Sequence, residues 1–172
     1  MPYHKKGYSV LTIKDLSITR GQGEQSFTVS LPHLSLAEGE VVSLCGSSGC
    51  GKSTLLEMMG LILKPDNLSQ YELSSDTLSM DLAPLILSNK QKTLAEIRSK
   101  NLGFMLQNGG LLPFLSVWQN ILLPCQTNGI LADESWLHHL CEKLNINHLM
   151  TKYPKQLSIG ERQRVAFVRS IA

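Results

Sequence analysis

The 172-residue sequence predicts an α/β fold, and three kinds of pattern carry that prediction. In the front part of the chain, apolar and small polar residues alternate, which is the pattern of half-buried strands. A short apolar run then leads into a glycine-rich turn that is followed at once by strong helix formers. Later stretches begin with a helix-capping residue and repeat apolar residues every three or four positions. We therefore expect an α/β core with an antiparallel β lobe and a helical lobe.

Residues 1–66 are predicted to form the β lobe together with the strand before the glycine-rich turn, the turn itself and the helix that follows it. Apolar periodicity locates the strands, and Pro32 is expected to end the second of them. Over the whole chain, strands are expected at 10–17, 26–31, 41–45, 71–73, 85–87 and 101–106. The runs 41–45 and 101–106 are almost wholly apolar, which predicts that both are buried in a sheet.

The helical lobe is predicted over residues 108–157. Ser116 is the expected N-cap of a helix that stops at Pro124. Ser158, followed three residues later by Glu161, forms the sequence pattern of a capping box and predicts another helix start. Helices are expected at 54–59, 89–100, 117–123, 133–144 and from residue 158 onward.

The overall composition narrows the class of protein. Sixteen basic and fourteen acidic side chains leave a net charge of +2, and no basic face stands out, so a nucleic-acid partner is not expected. No apolar run approaches the ~20 residues of a membrane-spanning helix, so any membrane role is expected to depend on a partner. The four cysteines lack C-x-x-C spacing and indicate reduced, intracellular thiols. His138, His139 and His148 are interpreted as solvated helix residues, because no thiol or carboxylate pattern completes a metal site.

The glycine-rich turn matches the phosphate-binding P-loop pattern G-x-x-x-x-G-K-[ST]. It consists of Gly46, Ser47, Ser48, Gly49, Cys50, Gly51, Lys52 and Ser53. The N–H groups of this loop and of the first helical turn, including Thr54, can converge on phosphate oxygens. Lys52 is expected to reach the β- and γ-phosphates of a nucleotide, and the Ser53 hydroxyl to bind Mg²⁺. A reagent attached to Cys50 is expected to block the nucleotide.

A second group of motifs resembles those of ATP-binding cassette (ABC) transporter ATPases. Residues 157–161 read Leu-Ser-Ile-Gly-Glu where that family usually has L-S-G-G-Q, and 163–166 match its Q-R-V-A. Gln107 ends a predicted strand, as the family's Q-loop glutamine does. The motifs follow the family's order, and the resemblance covers nearly the whole chain. Three further stretches look most like lipoprotein-release and macrolide-export ATPases: 103–108, 111–113 and 120–124.

The resemblance implies an ATP-binding subunit, a partial cassette over residues 1–172, that couples ATP hydrolysis to transport across a membrane. It implies a head-to-tail dimer with a second cassette, in which Ser158, Gly160 and Glu161 of one subunit close over the triphosphate held by the other. Gln107 would be the catalytic residue, would contact the Mg²⁺ together with Ser53, and would couple the nucleotide to a transmembrane permease. The subunit would lie on the cytoplasmic face of the membrane, held there by that permease.

The sequence departs from the family at three points. Ile159 replaces the first glycine of the signature. The family usually stacks adenine on an aromatic residue just after the first strand, whereas residues 19–22 of this chain contain none and Phe27 is the nearest. The family's Walker B aspartate and catalytic glutamate would follow Ala172, so we expect the fold to lack the C-terminal part of the cassette and to hydrolyse ATP poorly. Two alternatives stay open: a nucleotide-binding module or inactive truncated cassette without turnover, and a P-loop kinase.

Overall fold

The structure is a computed structural model that describes residues 9–23, 26–75 and 78–172. It divides into two compact units, Met1–Glu96 and Ile97–Ala172. The predicted β lobe falls within the first unit and the predicted helical lobe within the second. Along the described ranges, no helix is long and apolar enough to cross a bilayer.

The first unit is built on a four-stranded sheet in which every neighbouring pair of strands is antiparallel. The strands are β1 Ser9–Arg20, β2 Phe27–Ala37, β3 Gln70–Ser75 and β4 Leu78–Asp81, in the spatial order β2-β1-β3-β4. The predictions at 10–17, 26–31 and 71–73 are therefore confirmed. Ile13, Leu16 and Ile18 of β1 are buried and contribute to the core of this unit.

β2 continues through Pro32, so the prediction that this strand ends there is wrong. The residues on both sides of Pro32 stay paired with β1, and Pro32 itself faces Asp15, whose φ is 53°. Two successive buried positions of β1, Ile13 and Leu16, are three residues apart here instead of the usual two. The irregularity is tolerated because β2 is an edge strand, where a missing N–H breaks no inner ladder.

Helix α1, Lys52–Met59, packs into the same unit by burying Leu55 and Met58. The hydroxyl of Tyr71 in β3 donates a hydrogen bond to the carbonyl of Met59 at the end of this helix. Burial raises the pKa of Tyr71 above its ordinary value, so the hydroxyl stays protonated and remains a donor. The C-terminal end of α1 is thereby tied to the sheet.

Residues 85–87, predicted as a strand, belong to the short helix α2, Ala83–Leu87. Asp81 Oδ1 accepts a hydrogen bond from the N–H of Ala83 at 3.0 Å, which starts the turn. Pro84 then occupies the first helical turn, where its missing N–H has no partner to lose. These two local interactions favour a helix over the strand that the apolar pattern indicates.

Residues 41–45, predicted as a buried strand, form no regular secondary structure. Val41 is 94% exposed, so the apolar run is not covered. A strand exists only when a neighbouring strand completes its hydrogen bonds, and none of the described strands pairs with this run. The prediction is wrong for that reason. The same correction applies to 101–106, where helix α3, Gln91–Asn101, ends and the residues after it pair with no described strand.

The second unit is helical and has its own core. Its helices are α4 Val117–Asn128, α5 Glu134–Lys143 and α6 Ile159–Ser170, with 3₁₀ turns at Asn147–Leu149 and Pro154–Gln156, whereas α3 runs across the boundary between the two units. The helices predicted at 89–100, at 133–144 and from residue 158 are confirmed. The core consists of Val117, Ile121, Leu137, Cys141, Ile146, Leu149, Leu157, Val165 and Val168. Burial raises the pKa of the Cys141 thiol within this cluster.

Helix α4 starts at the predicted cap, Ser116, but it passes through Pro124 and ends only before Gly129. The prediction of a stop at Pro124 is wrong because Cys125, directly after it, belongs to the buried face of the helix. The Thr127 hydroxyl donates to two carbonyls of the turn around the proline, at 3.0 and 3.1 Å. Packing and this side-chain bond support the turn that the proline weakens.

Asn120 of α4 is the one completely buried polar side chain among the described residues. Its Oδ1 accepts a hydrogen bond from Leu112 N at 2.8 Å. Its Nδ2 donates to the carbonyls of Leu112, Leu115 and Ser116 at 3.0 to 3.1 Å. The buried amide therefore holds the segment that leads into α4 in place through these hydrogen bonds.

Asn120→Asp tests this arrangement because it keeps the shape and the acceptor but removes the donor to the three carbonyls. We expect the free energy of unfolding at neutral pH to fall by about 2 kcal/mol, roughly 1 kcal/mol for each of the two N–H donors that the three carbonyls share. Asn128→Asp is the matched control, because Asn128 Nδ2 makes a single bond, to Ser99 O at 2.8 Å. Urea denaturation measures both, and an equal loss in the two variants would contradict the assignment.

Candidate functional site

The P-loop links irregular backbone to the start of α1. Residues 46–50 are exposed, and the loop's own backbone bonding is sparse: Cys50 N donates to Ser47 O at 3.5 Å. Gly51 is the N-cap of α1 and has a left-handed φ of 96°. The predicted order of P-loop followed by helix is confirmed, although the strand expected before the loop is absent.

The first turn of α1 presents main-chain donors. Leu55 N donates to Gly51 O at 2.9 Å, the first hydrogen bond of the helix, and the N-cap supplies no side-chain acceptor. In the part of the chain that the structure describes, the N–H groups of Lys52, Ser53 and Thr54 have no hydrogen-bond partner. These three donors lie at the positive end of the helix dipole, an arrangement suited to an anion such as phosphate.

The Lys52 side chain lies over the loop. Its Nζ donates to the carbonyls of Gly46 and Ser47 at 2.8 and 2.5 Å and lies 3.6 Å from Cys50 Sγ. The ammonium group is therefore in the loop, beside the helix start, and three hydrogen-bond donors on one nitrogen allow it to exchange a carbonyl for a phosphate oxygen. The exposed Cys50 thiol is a neighbour of that ammonium.

Gly51 fixes how the loop meets the sheet. A Cβ at this position would collide with Cγ2 of Val29, a buried residue of β2. The backbone at the start of α1 thus touches the sheet directly, and both its φ and its contact require glycine.

Gly51→Ala is expected to lower the free energy of unfolding by about 3 kcal/mol, of which about 1 comes from the left-handed φ and about 2 from overpacking against Val29. Gly49→Ala is the matched control, since Gly49 has a φ of 82° but nothing within 4 Å of an added Cβ. That variant should lose only about 1 kcal/mol. Chemical denaturation gives both values. Adding Val29→Ala to Gly51→Ala should recover the part of the loss that comes from overpacking. Equal losses in Gly51→Ala and Gly49→Ala would show that the contact with Val29 adds nothing.

The signature segment forms the predicted capping box at the start of α6. Ser158 N donates to Glu161 Oε2 at 2.7 Å, and Glu161 N donates to Ser158 Oγ at 3.3 Å. Ile159 is the first helical residue and is 69% exposed. Within the described chain, the N–H groups of Ile159 and Gly160 have no hydrogen-bond partner, so this helix start also retains donors.

The hydrogen bonds from the Ser158 N–H and then from its hydroxyl hold the pKa of Glu161 below its ordinary value, with smaller contributions from Lys152 and Arg164. Glu161 Oε1 also lies 4.0 Å from His148 Nε2. A carboxylate whose folded pKa is depressed stabilises the folded state above its unfolded value of about 4.3, and this is lost as pH falls through the folded pKa.

Ser158→Ala should raise the pKa of Glu161 part of the way to the ordinary value, because it removes the hydroxyl but keeps the main-chain N–H. The measurement is an NMR titration of the Glu161 side-chain carboxyl carbon. Ser170→Ala is the control, since Ser170 Oγ also lies on α6 and donates only to Phe167 O. A Glu161 pKa that does not move in Ser158→Ala would show that the hydroxyl has no part in it.

Gln107 lies in the second unit, exposed, in a turn rather than at the end of a strand. Ser53 lies in the first unit, so the predicted magnesium pair of Ser53 and Gln107 stays a prediction. Over the described ranges, no group of three or more His, Cys, Asp or Glu side chains could hold a metal ion. His138 instead stacks on Trp118, with ring centroids 4.4 Å apart.

Arg169, which contacts the segment after Gln107, was not identified from the sequence. Arg169 of α6 donates to the carbonyls of Gly109 and Gly110, two residues and three residues after Gln107. The available signal was its place three residues after Ala166 and four after Val165, two buried residues on the same side of α6. A charged residue next to a buried face requires a partner.

Comparisons with known proteins agree with these motifs. The ABC transporter family profile matches residues 30–172. A lipoprotein-releasing system ATP-binding protein, LolD, of Cytophaga hutchinsonii is 37% identical over 80% of this chain and 59% of its own length. YvrO, an uncharacterized ABC transporter ATP-binding protein of Bacillus subtilis, is 32% identical over 94% of this chain and 68% of its own length.

A solved structure agrees as well. The dimeric ATP-binding cassette MJ0796, in a post-hydrolysis state bound to ADP and Pi, is 30% identical and superposes with a TM-score of 0.73. That match covers 94% of this chain and 69% of that cassette. This chain spans about three fifths of the length of the first curated relatives that it matches. The predicted α/β cassette fold is confirmed, and the chain belongs to the ABC transporter family of ATP-binding proteins.

Proposed function

We propose that this chain is the nucleotide-binding subunit of an ABC transporter, which binds MgATP and couples its hydrolysis to transport through a transmembrane permease. The observation that carries the proposal is the start of α1, where the N–H groups of Lys52, Ser53 and Thr54 have no partner and the Lys52 ammonium lies in the same loop. Main-chain donors, a helix dipole and one cation together suit the polyanionic tail of a nucleotide.

In this proposal the P-loop residues 46–54 hold the triphosphate, and Lys52 bonds to its β- and γ-phosphates. The Ser53 hydroxyl is a ligand of Mg²⁺, and Gln107 contributes a second contact to the ion and responds to the γ-phosphate. The ion neutralises charge on the phosphate oxygens during hydrolysis. ADP and Pi in the solved relative MJ0796 support a nucleotide as the ligand.

The proposed assembly is a head-to-tail pair with a second cassette. The start of α6 supports it, because Ile159 and Gly160 keep unpartnered N–H groups in the described chain. Ser158, Gly160 and Glu161 would then face a triphosphate held by the other subunit. The dimeric state of MJ0796 agrees with such a pair. The proposed permease partner and the proposed position on the cytoplasmic face are supported by family membership alone.

Lys52→Ala tests the binding step. We expect the affinity for MgATP to fall about a hundredfold, because a charge-assisted bond to phosphate is worth about 1.5–3 kcal/mol. Isothermal titration calorimetry on the folded chain measures it, and Lys64→Ala is the control, since Lys64 is an exposed lysine outside the P-loop. Unchanged affinity in Lys52→Ala, or no nucleotide binding by the folded wild-type chain, would overturn the proposal.

Phosphate release from the same sample separates binding from turnover. Release that depends on Lys52 supports the hydrolysing subunit, whereas tight MgATP binding without release selects the alternative of a non-hydrolysing nucleotide-binding module.

A further inference from the structure

The guanidinium group of Arg169 makes a forked contact with the loop that contains Gln107. Nη2 donates to the carbonyl of Gly109 at 2.8 Å, and Nη1 donates to the carbonyl of Gly110 at 2.9 Å. Two parallel bonds from one planar group fix both the position and the direction of the backbone they hold. Arg169 is half-buried, and in the described part of the chain it has no carboxylate partner.

The loop around Gln107 is closed by its own backbone. Gly109 N donates to Leu106 O at 2.8 Å, and Gly110 N donates to the side chain of Asn108 at 3.1 Å. Gln107 therefore lies inside a tight turn whose exit, at Gly109 and Gly110, is the part that Arg169 holds. Its side chain is exposed and available to a ligand.

The same segment also packs directly on α6. A Cβ at Gly109 would lie 3.4 Å from the carbonyl of Arg162 and 3.5 Å from Cβ of Ala166. On the other side of Gln107, a Cβ at Gly103 would collide with the carbonyl of Ser170. The chain on both sides of Gln107 thus lies close against this helix, where there is no room for a larger side chain at either glycine.

The charge of Arg169 makes this contact strong. Burial lowers the pKa of its guanidinium below the ordinary value, but that value is so high that the group stays charged. A charged donor contributes more to a partly buried hydrogen bond than a neutral one does. Without it, the carbonyls of Gly109 and Gly110 would lose their donor at a site that helix and loop partly cover.

We propose that Arg169 is a positioning residue, which holds the carbonyls behind Gln107 and thereby fixes that glutamine relative to helix α6. α6 runs from Ile159 to Ser170 and begins at the Ser158 cap. The glutamine and the signature are consequently parts of one rigid element, and a displacement of either is transmitted to the other. This inference rests on the proposed function, since it assigns to Arg169 the placement of the residue that responds to the γ-phosphate.

The test is the ratio of the affinities for MgATP and MgADP, measured by calorimetry on the full chain. If Gln107 responds to the γ-phosphate, Gln107→Ala lowers this ratio. Arg169→Gln should lower it about tenfold without changing the affinity for MgADP, as expected for losing one charge-assisted contact. Arg169→Lys keeps the charge but not the fork, and it should lower the ratio by a smaller factor.

The double variant Arg169→Gln/Gln107→Ala should match Gln107→Ala alone, because Arg169 acts through the glutamine. Lys143→Gln, which removes an exposed positive charge from α5, should leave the ratio unchanged. Should Arg169→Gln fail to fold, Arg169→Lys decides by the same criterion.

Three outcomes would each overturn the inference. The ratio could stay at the wild-type value in the Arg169 variants, the effects could be additive in the double variant, or the wild-type chain could show no preference for MgATP. In those cases nucleotide binding and its dependence on Lys52 persist, whereas failure of the proposed function shows as no nucleotide binding at all.

Discussion

Every α-helix begins with N–H groups that have no partner inside the helix, and the site depends on how this chain deals with them. Ser116, Asp133 and Ser158 each place a side-chain oxygen on the first turn of α4, α5 and α6. Gly51 at the start of α1 has no side chain to do so. The helix behind the P-loop therefore keeps several donors for an anion from outside, while the capped helices use at least one of theirs internally.

The P-loop makes few hydrogen bonds of its own, so its position depends on the structure around it. The four-stranded sheet provides that support. The start of α1 rests on Val29 through a contact that only glycine allows. At the other end of the helix, the Tyr71 hydroxyl bonds to Met59. The P-loop helix is thus fixed at both ends by buried residues of β2 and β3, and the exposed loop can be irregular without losing its place.

The local features were predictable and the non-local ones were not. The P-loop, the Ser116 cap and the Ser158–Glu161 capping box depend on residues a few positions apart, so the sequence pattern identifies them. The run 41–45 is apolar enough for a strand, but whether it becomes one depends on a partner strand elsewhere. The Arg169 contact joins residues 59 and 60 positions apart, and no motif spacing encodes it.

Ile159, the departure from the family's signature, shows what a local substitution changes. It is the first residue of α6 and does not have a positive φ, so the backbone needs no glycine there. The N–H groups of Ile159 and Gly160 still point out of the helix start, as they would with glycine. The branched side chain, 69% exposed, leans toward the N-terminus and narrows the approach to those donors from one side. In the proposed dimer the substitution therefore acts through steric access to the partner's triphosphate, and Gly160 becomes the point of closest backbone approach.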